Sequence, residues 1–185
     1  NTFDLEQVAD ALKADKNHAY KAVLAVHVDT SSSNRNAFAP LRDILDDLAH
    51  PALLIADCIA SLGCDRFEMD AWGVDIAITG SQKGLMLPPG CGFVFFNDKA
   101  AAARVGLTRV SGSWDWKPRA NPEASYQHFS GTAPTHHLYG LRTAHDMHHD
   151  EGMEDTWKRH ETLARSVWPA FAHNGHAGPH QPNHQ

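Results

Sequence analysis

Two side chains that could act together in catalysis each follow a short apolar segment of the sequence. Asp57 ends the segment ALLIAD, and Lys83 follows the segment DIAIT after a Gly-Ser-Gln turn. An amine at the end of a buried strand loses solvation of its charged form, which favours nucleophilic attack on an aldehyde. A buried carboxylate needs a cation nearby, and a protonated pyridine nitrogen is such a cation. Taken singly, each residue is better explained without catalysis, as a solvated lysine and as a helix-capping or turn aspartate.

The elements that must position these side chains are four short apolar segments with helical or glycine-containing stretches between them. The four segments cover residues 22–27, 52–57, 75–79 and 92–97. Helical spacing begins at Leu5 behind the possible caps Thr2 and Asp4, and Pro40 begins a second helix. This alternation is typical of an α/β fold with a mainly parallel sheet and helices on both faces. Ligands bind at the carboxyl ends of such strands, so Asp57 and Lys83 should meet at one edge.

The rest of the chain is predicted to be largely helical. Apolar residues recur at helical spacing over residues 135–150 and 154–172, whereas residues 173–185 show no period. The net charge of -6, from 16 basic and 22 acidic residues, argues against a nucleic-acid partner. No apolar run is long enough to cross a bilayer. Three cysteines without paired spacing favour a reducing compartment, so we expect a cytoplasmic protein.

Three blocks of sequence carry a resemblance to a known family. They are Asp57–Gly63 (DCIASLG), Glu68–Asp75 (EMDAWGVD) and Ser81–Gly90 (SQKGLMLPPG). In order and spacing they resemble class V aminotransferases that act on glyoxylate and use pyridoxal phosphate (PLP). The resemblance implies a fold-type I PLP-dependent transferase with a mainly parallel sheet flanked by helices. Residues 1–172 would be part of the PLP-binding large domain, and residues 173–185 an irregular tail.

The resemblance also implies roles for individual residues. Lys83 would hold PLP as a Schiff base and move the substrate proton, and Asp57 would pair with the pyridinium nitrogen. Gln82 and Ser81 would donate hydrogen bonds to the phosphate, and Thr30 would lie near the ring hydroxyl. No metal ion is expected in this arrangement.

The same resemblance suggests a partner subunit and the substrates. Thr132 occupies the place of a threonine that reaches the phosphate of the neighbouring subunit, which implies a homodimer. The substrates would be glyoxylate and a small amino acid: serine, alanine or aspartate. The chain departs from many relatives at Ser33, where they have Gly, and at Phe129, where they have Tyr. An upstream glycine turn and a downstream substrate-binding arginine are absent from these 185 residues, so we expect this segment alone to be inactive.

Three other interpretations compete with this one. Histidines crowd the region of His136, His137, His145, His148, His149 and His160, which could indicate a metal site. PLP-dependent lyases and desulfurases share the fold, and a desulfurase would need a mobile nucleophilic cysteine. The cysteines at 58, 64 and 91 lie close to the proposed cofactor residues, so packing explains them better. A non-catalytic remnant of the fold is the third alternative.

Overall fold

A computed structural model describes residues 2–173 of the chain. Its helices are α1 (Leu5–Ala14), α2 (Ala39–Asp47), α3 (Asp98–Val105), α4 (Lys117–Ala120), α5 (Thr135–Glu151) and α6 (Met153–His173). Its strands are β1 (Ala22–Val26), β2 (Leu53–Asp57), β3 (Ile76–Gly80) and β4 (Gly92–Phe96). A short 3-10 helix covers Ser125–His128. Each predicted strand is therefore present, with boundaries within one residue of the apolar segments.

The four strands form one sheet in the order β1-β2-β3-β4. The first three are parallel, with Val26 beside Asp57 and Asp57 beside Ile78, and β4 runs antiparallel to β3. The predicted mainly parallel sheet is thus confirmed. Because parallel strands end at the same edge, the segments after β1, β2 and β3 all emerge on one side of the molecule. The antiparallel β4 begins at that edge, with Gly92 opposite Gly80.

The core lies between one face of the sheet and the first two helices. Leu12 of α1 and Leu41 and Leu45 of α2 are buried against Leu54 and neighbouring strand residues. The predicted N-cap Asp4 begins α1, where its carboxylate accepts a hydrogen bond from the backbone N–H of Gln7. Burial of these apolar side chains supplies the main stabilisation of the described fold.

The expectation that β1 would be buried on both faces is wrong for the described chain. Leu24, in the middle of β1, is 68% exposed. The strand pairs only with β2, and α1 and α2 cover one face of the sheet. The apolar run AVLAV therefore marks a strand, but composition alone does not reveal which of its faces is covered.

A buried carboxylate ties the strands together at the edge opposite the three strand ends. Asp75 accepts hydrogen bonds from the backbone N–H of Leu54 (2.8 Å), from Asn97 Nδ2 (2.9 Å) and from Lys99 Nζ (3.2 Å). Arg42 lies 3.6 Å from the same carboxylate. The two cations and two further donors compensate this buried charge. Asp75 therefore has a structural role, because it holds β2 and β3 in register at this edge.

The two predicted C-terminal helices are confirmed as α5 and α6, which are joined at Gly152 in a left-handed conformation (φ 83°). The guanidinium of Arg66 stacks on the ring of Trp157, 4.7 Å from its centroid, and pairs with Glu154. These contacts attach α6 to the loop that follows β2. Of the predicted tail, residues 174–185 lie outside the described residues. In the described part of the chain, no helix has the length and apolar character needed to span a membrane.

Candidate active site

The lysine turn, residues 81–87, leaves the end of β3 and is held by its own hydrogen bonds. The buried Ser81 hydroxyl donates to the carbonyl oxygen of Pro88 (2.7 Å) and accepts from the backbone N–H of Cys91 (3.2 Å). The backbone N–H of Met86 donates to the carbonyl oxygen of Lys83 (2.8 Å). The Lys83 side chain itself is exposed. Burial of this amine, the premise of the sequence argument, is therefore not seen here, because the side chain leaves the sheet edge on an open turn.

The aspartate turn, residues 57–64, leaves the end of the neighbouring strand β2. The half-buried Asp57 accepts a hydrogen bond at Oδ1 from the backbone N–H of Ile59 (2.9 Å). Its Oδ2 has no hydrogen-bond partner among the described residues. Asp57 is therefore less buried than the sequence argument assumed, yet it presents one unengaged carboxylate oxygen at the sheet edge.

The lysine turn and the aspartate turn pack directly against each other through two glycines. A Cβ on Gly84 would lie 2.1 Å from the carbonyl oxygen of Leu62, and a Cβ on Gly63 would lie 2.9 Å from the carbonyl oxygen of Gly84. Gly63 also has a left-handed conformation (φ 85°), which favours glycine. This backbone contact fixes the position of the lysine turn relative to the aspartate turn.

Replacing Gly84 with Ala should therefore destabilise the protein and displace the lysine turn. The new Cβ would overlap a backbone oxygen that cannot move without shifting the aspartate turn, so we expect a loss of about 3 kcal/mol in the free energy of unfolding. Urea denaturation measures this loss. Gly92→Ala is the matched control, because a Cβ there would meet nothing within 4 Å. Equal stability of the two variants would contradict the close packing of the turns.

The loop after β1 brings Thr30 to the same sheet edge. Asp29 holds this loop by accepting hydrogen bonds from the hydroxyls and backbone N–H groups of Ser31 and Ser32. These bonds, the one from the Ser32 hydroxyl foremost, lower the pKa of the Asp29 carboxyl. Thr30 is exposed on the turn. Ser33, where many relatives have Gly, has φ 57°, so the loop keeps a left-handed residue at that position.

The other residues predicted to bind the cofactor differ in exposure: Gln82 and Thr132 are exposed, whereas Ser81 is buried. Gln82 is exposed, and its side chain folds back toward Gly80. A Cβ on Gly80 would lie 2.7 Å from the Oε1 of Gln82. Ser81 is fully buried and its hydroxyl proton is committed to Pro88, so the structure gives it a turn-holding role. Thr132 is exposed and lines a cavity of about 640 Å³ with Gly92 and other residues of β4. None of the described hydrogen bonds or ring contacts joins Thr132 to Asp57 or Lys83.

The buried His27, which directly follows β1 and received no role from the sequence, supports the aspartate turn. Its Nδ1 lies 2.9 Å from the hydroxyl oxygen of Ser61, and its ring packs among three aromatic rings. The three are Phe38, Phe67 and Trp72, with centroids 5.4–5.9 Å from the His27 centroid. Burial lowers the pKa of His27 to about 4. The signal available in the sequence was a histidine directly after an apolar strand, which also fits many surface positions.

His27 should make the stability of the protein fall below neutral pH. Its folded pKa of about 4 lies below its ordinary value of 6.5. Between these values the unfolded chain binds the proton and the folded chain does not, so stability is lost as the pH falls through 6.5. The loss from this group should be about 2 kcal/mol between pH 7 and pH 5. Urea denaturation of the wild type and of His27→Gln tests this, and an identical pH dependence in the two proteins would contradict it.

Two of the cysteines and two of the histidines lack the features that a desulfurase or a metal site would need. Burial raises the pKa of the Cys58 thiol to about 12 and also raises that of Cys64, which suppresses the nucleophilic thiolate. His145 and His149 stack on the exposed face of α5, where they are 72% and 81% exposed. Among the described residues, no three His, Cys, Asp or Glu side chains group so as to hold a metal ion.

The chemistry of the two facing turns fits PLP. The unengaged oxygen of Asp57 suits a ring nitrogen that carries a proton, and the exposed amine of Lys83 suits an aldehyde on the same ring. Both groups leave adjacent parallel strands at one edge, and the Gly63–Gly84 contact keeps their turns together. The described residues therefore place a carboxylate and an amine on two turns that pack together at one edge of the sheet.

Comparison with known proteins identifies the class first. The fold is that of the fold-type I PLP-dependent transferases, with a mostly parallel sheet flanked by helices. The structure superposes on the alanine–glyoxylate aminotransferase from Nostoc sp. with a TM-score of 0.82, at 28% identity over 95% of this chain and 46% of that chain. The model of the aminotransferase class-V family matches residues 2–179. The chain therefore belongs to the class V aminotransferase family, as the three sequence blocks predicted.

Two relatives carry more specific names. A serine–glyoxylate aminotransferase from Methylorubrum extorquens is 40% identical over 174 residues, which cover 90% of this chain and 42% of the relative. An L-aspartate–glyoxylate aminotransferase from Paracoccus denitrificans is 38% identical over 162 residues, which cover 88% of this chain and 41% of the relative. The chain thus spans about two fifths of the length of these relatives.

Proposed function

We propose that the protein transfers an amino group from a small amino acid to glyoxylate by a ping-pong reaction that uses PLP. The observation that carries this proposal is that Lys83 and Asp57 lie on two turns that pack together at one sheet edge of a class V aminotransferase chain. When bound, PLP supplies an electron sink for the pair of electrons left by removal of the substrate α-proton. The described residues would supply the groups that hold and orient the cofactor.

Lys83 and Asp57 would have separate tasks at this site. The Lys83 amine would attach the cofactor and then carry the proton between the substrate α-carbon and the cofactor. Because Lys83 is exposed on its turn, its amine is accessible to the cofactor and to the substrate. Asp57 would accept a charge-assisted hydrogen bond from the ring nitrogen at Oδ2 and keep that nitrogen protonated. Oδ1 remains bonded to the backbone of Ile59, which holds the carboxylate in one orientation.

The phosphate and the ring hydroxyl would be bound by exposed polar side chains at the same edge. We assign Gln82 to the phosphate and Thr30 to the ring hydroxyl, since they follow the carboxyl ends of β3 and β1, the two strands on either side of β2. The buried Ser81 would contribute by fixing the turn, because its hydroxyl proton is used by Pro88. Thr132 would serve the phosphate of a second copy, so the active form would be a homodimer.

The amino donor is proposed from the names of the relatives, which include serine–glyoxylate and L-aspartate–glyoxylate aminotransferases. Serine, aspartate and alanine are the candidates. The direct test is to measure glycine formation from glyoxylate with each donor, using the complete protein with added PLP. We expect turnover with at least one of the three donors. Absence of amino transfer with all three, in a folded protein that binds PLP, would overturn the proposed reaction.

A further inference from the structure

Helix α5 runs alongside the lysine turn and the residues that follow it. His137 Nε2 lies 3.3 Å from the carbonyl oxygen of Pro89, and Gly140 packs against Leu87. Further along the helix, His148 Nε2 lies 2.9 Å from the carbonyl oxygen of Gly84. Of these three contacts, the one made by His148 is the nearest in sequence to Lys83. Successive residues of α5 therefore meet the lysine segment in reverse order, and His148 reaches the turn itself.

The direction of this hydrogen bond follows from its acceptor. A carbonyl oxygen only accepts, so Nε2 of His148 carries the hydrogen and donates it to Gly84. Gly84 also packs against the carbonyl oxygen of Leu62 in the aspartate turn. Gly84, the residue that follows Lys83, thus contacts both the aspartate turn and the side chain of His148.

The second ring nitrogen of His148 argues against a simple space-filling role. Among the described residues, Nδ1 of His148 is buried and has no hydrogen-bond partner. A buried polar atom without a partner is unfavourable, and an apolar side chain at this position would avoid that cost. The compensating interaction that the structure shows is the bond from Nε2 to Gly84.

We infer that His148 is a positioning residue for Lys83: its bond to Gly84 fixes the lysine turn against the aspartate turn. This inference rests on the proposed function, in which Lys83 holds PLP. His148 touches neither of the proposed cofactor-binding side chains in the described contacts, so it acts through the backbone of the turn. Its loss should change how the Lys83 amine is presented, while the fold is kept.

Replacing His148 with Gln or with Asn distinguishes an effect of the hydrogen bond to Gly84 from an effect of side-chain volume. The two replacements carry the same amide group. In His148→Gln the amide nitrogen is as far from Cβ as Nε2 of histidine, so it reaches Gly84. In His148→Asn the amide is one carbon shorter and does not reach. His148→Leu removes the donor and keeps an apolar volume. His149→Ala is the control on the same helix, since His149 is exposed and its described hydrogen bonds, ion pairs and ring contacts do not include the lysine turn.

The readouts are the rate at which an amine reagent labels Lys83 in the PLP-free protein, and the dissociation constant for PLP. We expect His148→Gln and the control to stay within about twofold of the wild type. The Asn and Leu variants should alter the labelling rate and weaken PLP binding by about threefold to tenfold, as loss of one hydrogen bond implies. The thermal midpoint of each variant reports on folding, and the Gln and Asn pair suffices if the Leu variant does not fold.

Two results would overturn the inference. One is an Asn variant with wild-type labelling and PLP binding, and the other is a Gln variant as impaired as the Asn variant. Either result would leave the proposed function intact, provided that PLP is still attached to Lys83 in the wild type. Failure of the proposed function is distinct, because wild-type protein would then carry no PLP on Lys83.

Discussion

The Lys83→Ala variant is expected to lose covalent attachment of PLP together with its amino-transfer activity. The same amine is proposed to bond the cofactor and to move the substrate proton. The loss of turnover should therefore exceed the factor of about 10²–10⁴ that is typical when one acid–base group is removed. Because Lys83 lies exposed on its turn, truncation should leave the free energy of unfolding nearly unchanged. Visible absorbance of the PLP-loaded protein and steady-state turnover measure the two losses.

Lys158→Ala is the matched control for this variant. Lys158 is an exposed lysine on α6, far along the chain from the strand ends. The control should keep the visible spectrum and the turnover of the wild type. A Lys83→Ala protein with the same spectrum as the wild type would show that another group attaches the cofactor.

The second large effect is expected for Asp57→Asn. The neutral amide can still accept the hydrogen bond from the backbone of Ile59, so the aspartate turn should keep its conformation. It cannot stabilise a protonated ring nitrogen by charge. We expect PLP to dissociate about 10 to 100 times more readily, since a charge-assisted bond is lost. Turnover should fall by about 10²–10⁴-fold, because the electron-accepting form of the ring is depopulated.

The control variants for Asp57→Asn change one exposed aspartate of α2 and two exposed histidines of α5. Asp43→Asn, at an exposed position of α2, controls for the change of charge and should behave as the wild type. His145→Ala and His149→Ala should also retain activity, since both side chains lie on the exposed face of the helix. If either histidine variant were inactive while Asp57→Asn kept full activity, a metal-dependent reaction would replace the proposed one.

The sequence predicted the strands well because each is a short apolar run between turns. The run LLIAD and the run IAITG both become strands whose ends meet at one edge. The convergence of Asp57 and Lys83 followed from the parallel order of these strands, which alternation with helices favours. The family followed from three blocks in fixed order, and the class-V model confirms it.

The parts that could not be predicted depend on contacts between residues distant in sequence. Burial of Lys83 was inferred from its strand, but the turn carries the side chain out of the sheet. Contact between Gly63 and Gly84, and the bond from His148 to Gly84 across 64 residues, leave no periodic signal in the sequence. Ser81 was expected to face the phosphate, and only the structure shows that its hydroxyl is used by Pro88.

Reductive trapping of the cofactor tests the central claim most directly. The complete protein is incubated with PLP and reduced with borohydride, which makes the bond between an amine and the cofactor permanent. It is then digested, and the peptides are analysed by mass spectrometry. The account predicts that the cofactor mass is found on the peptide that contains Lys83 and that Lys83→Ala removes it. Cofactor mass on a different lysine such as Lys99, or an unmodified Lys83 in protein that transfers amino groups, would contradict it.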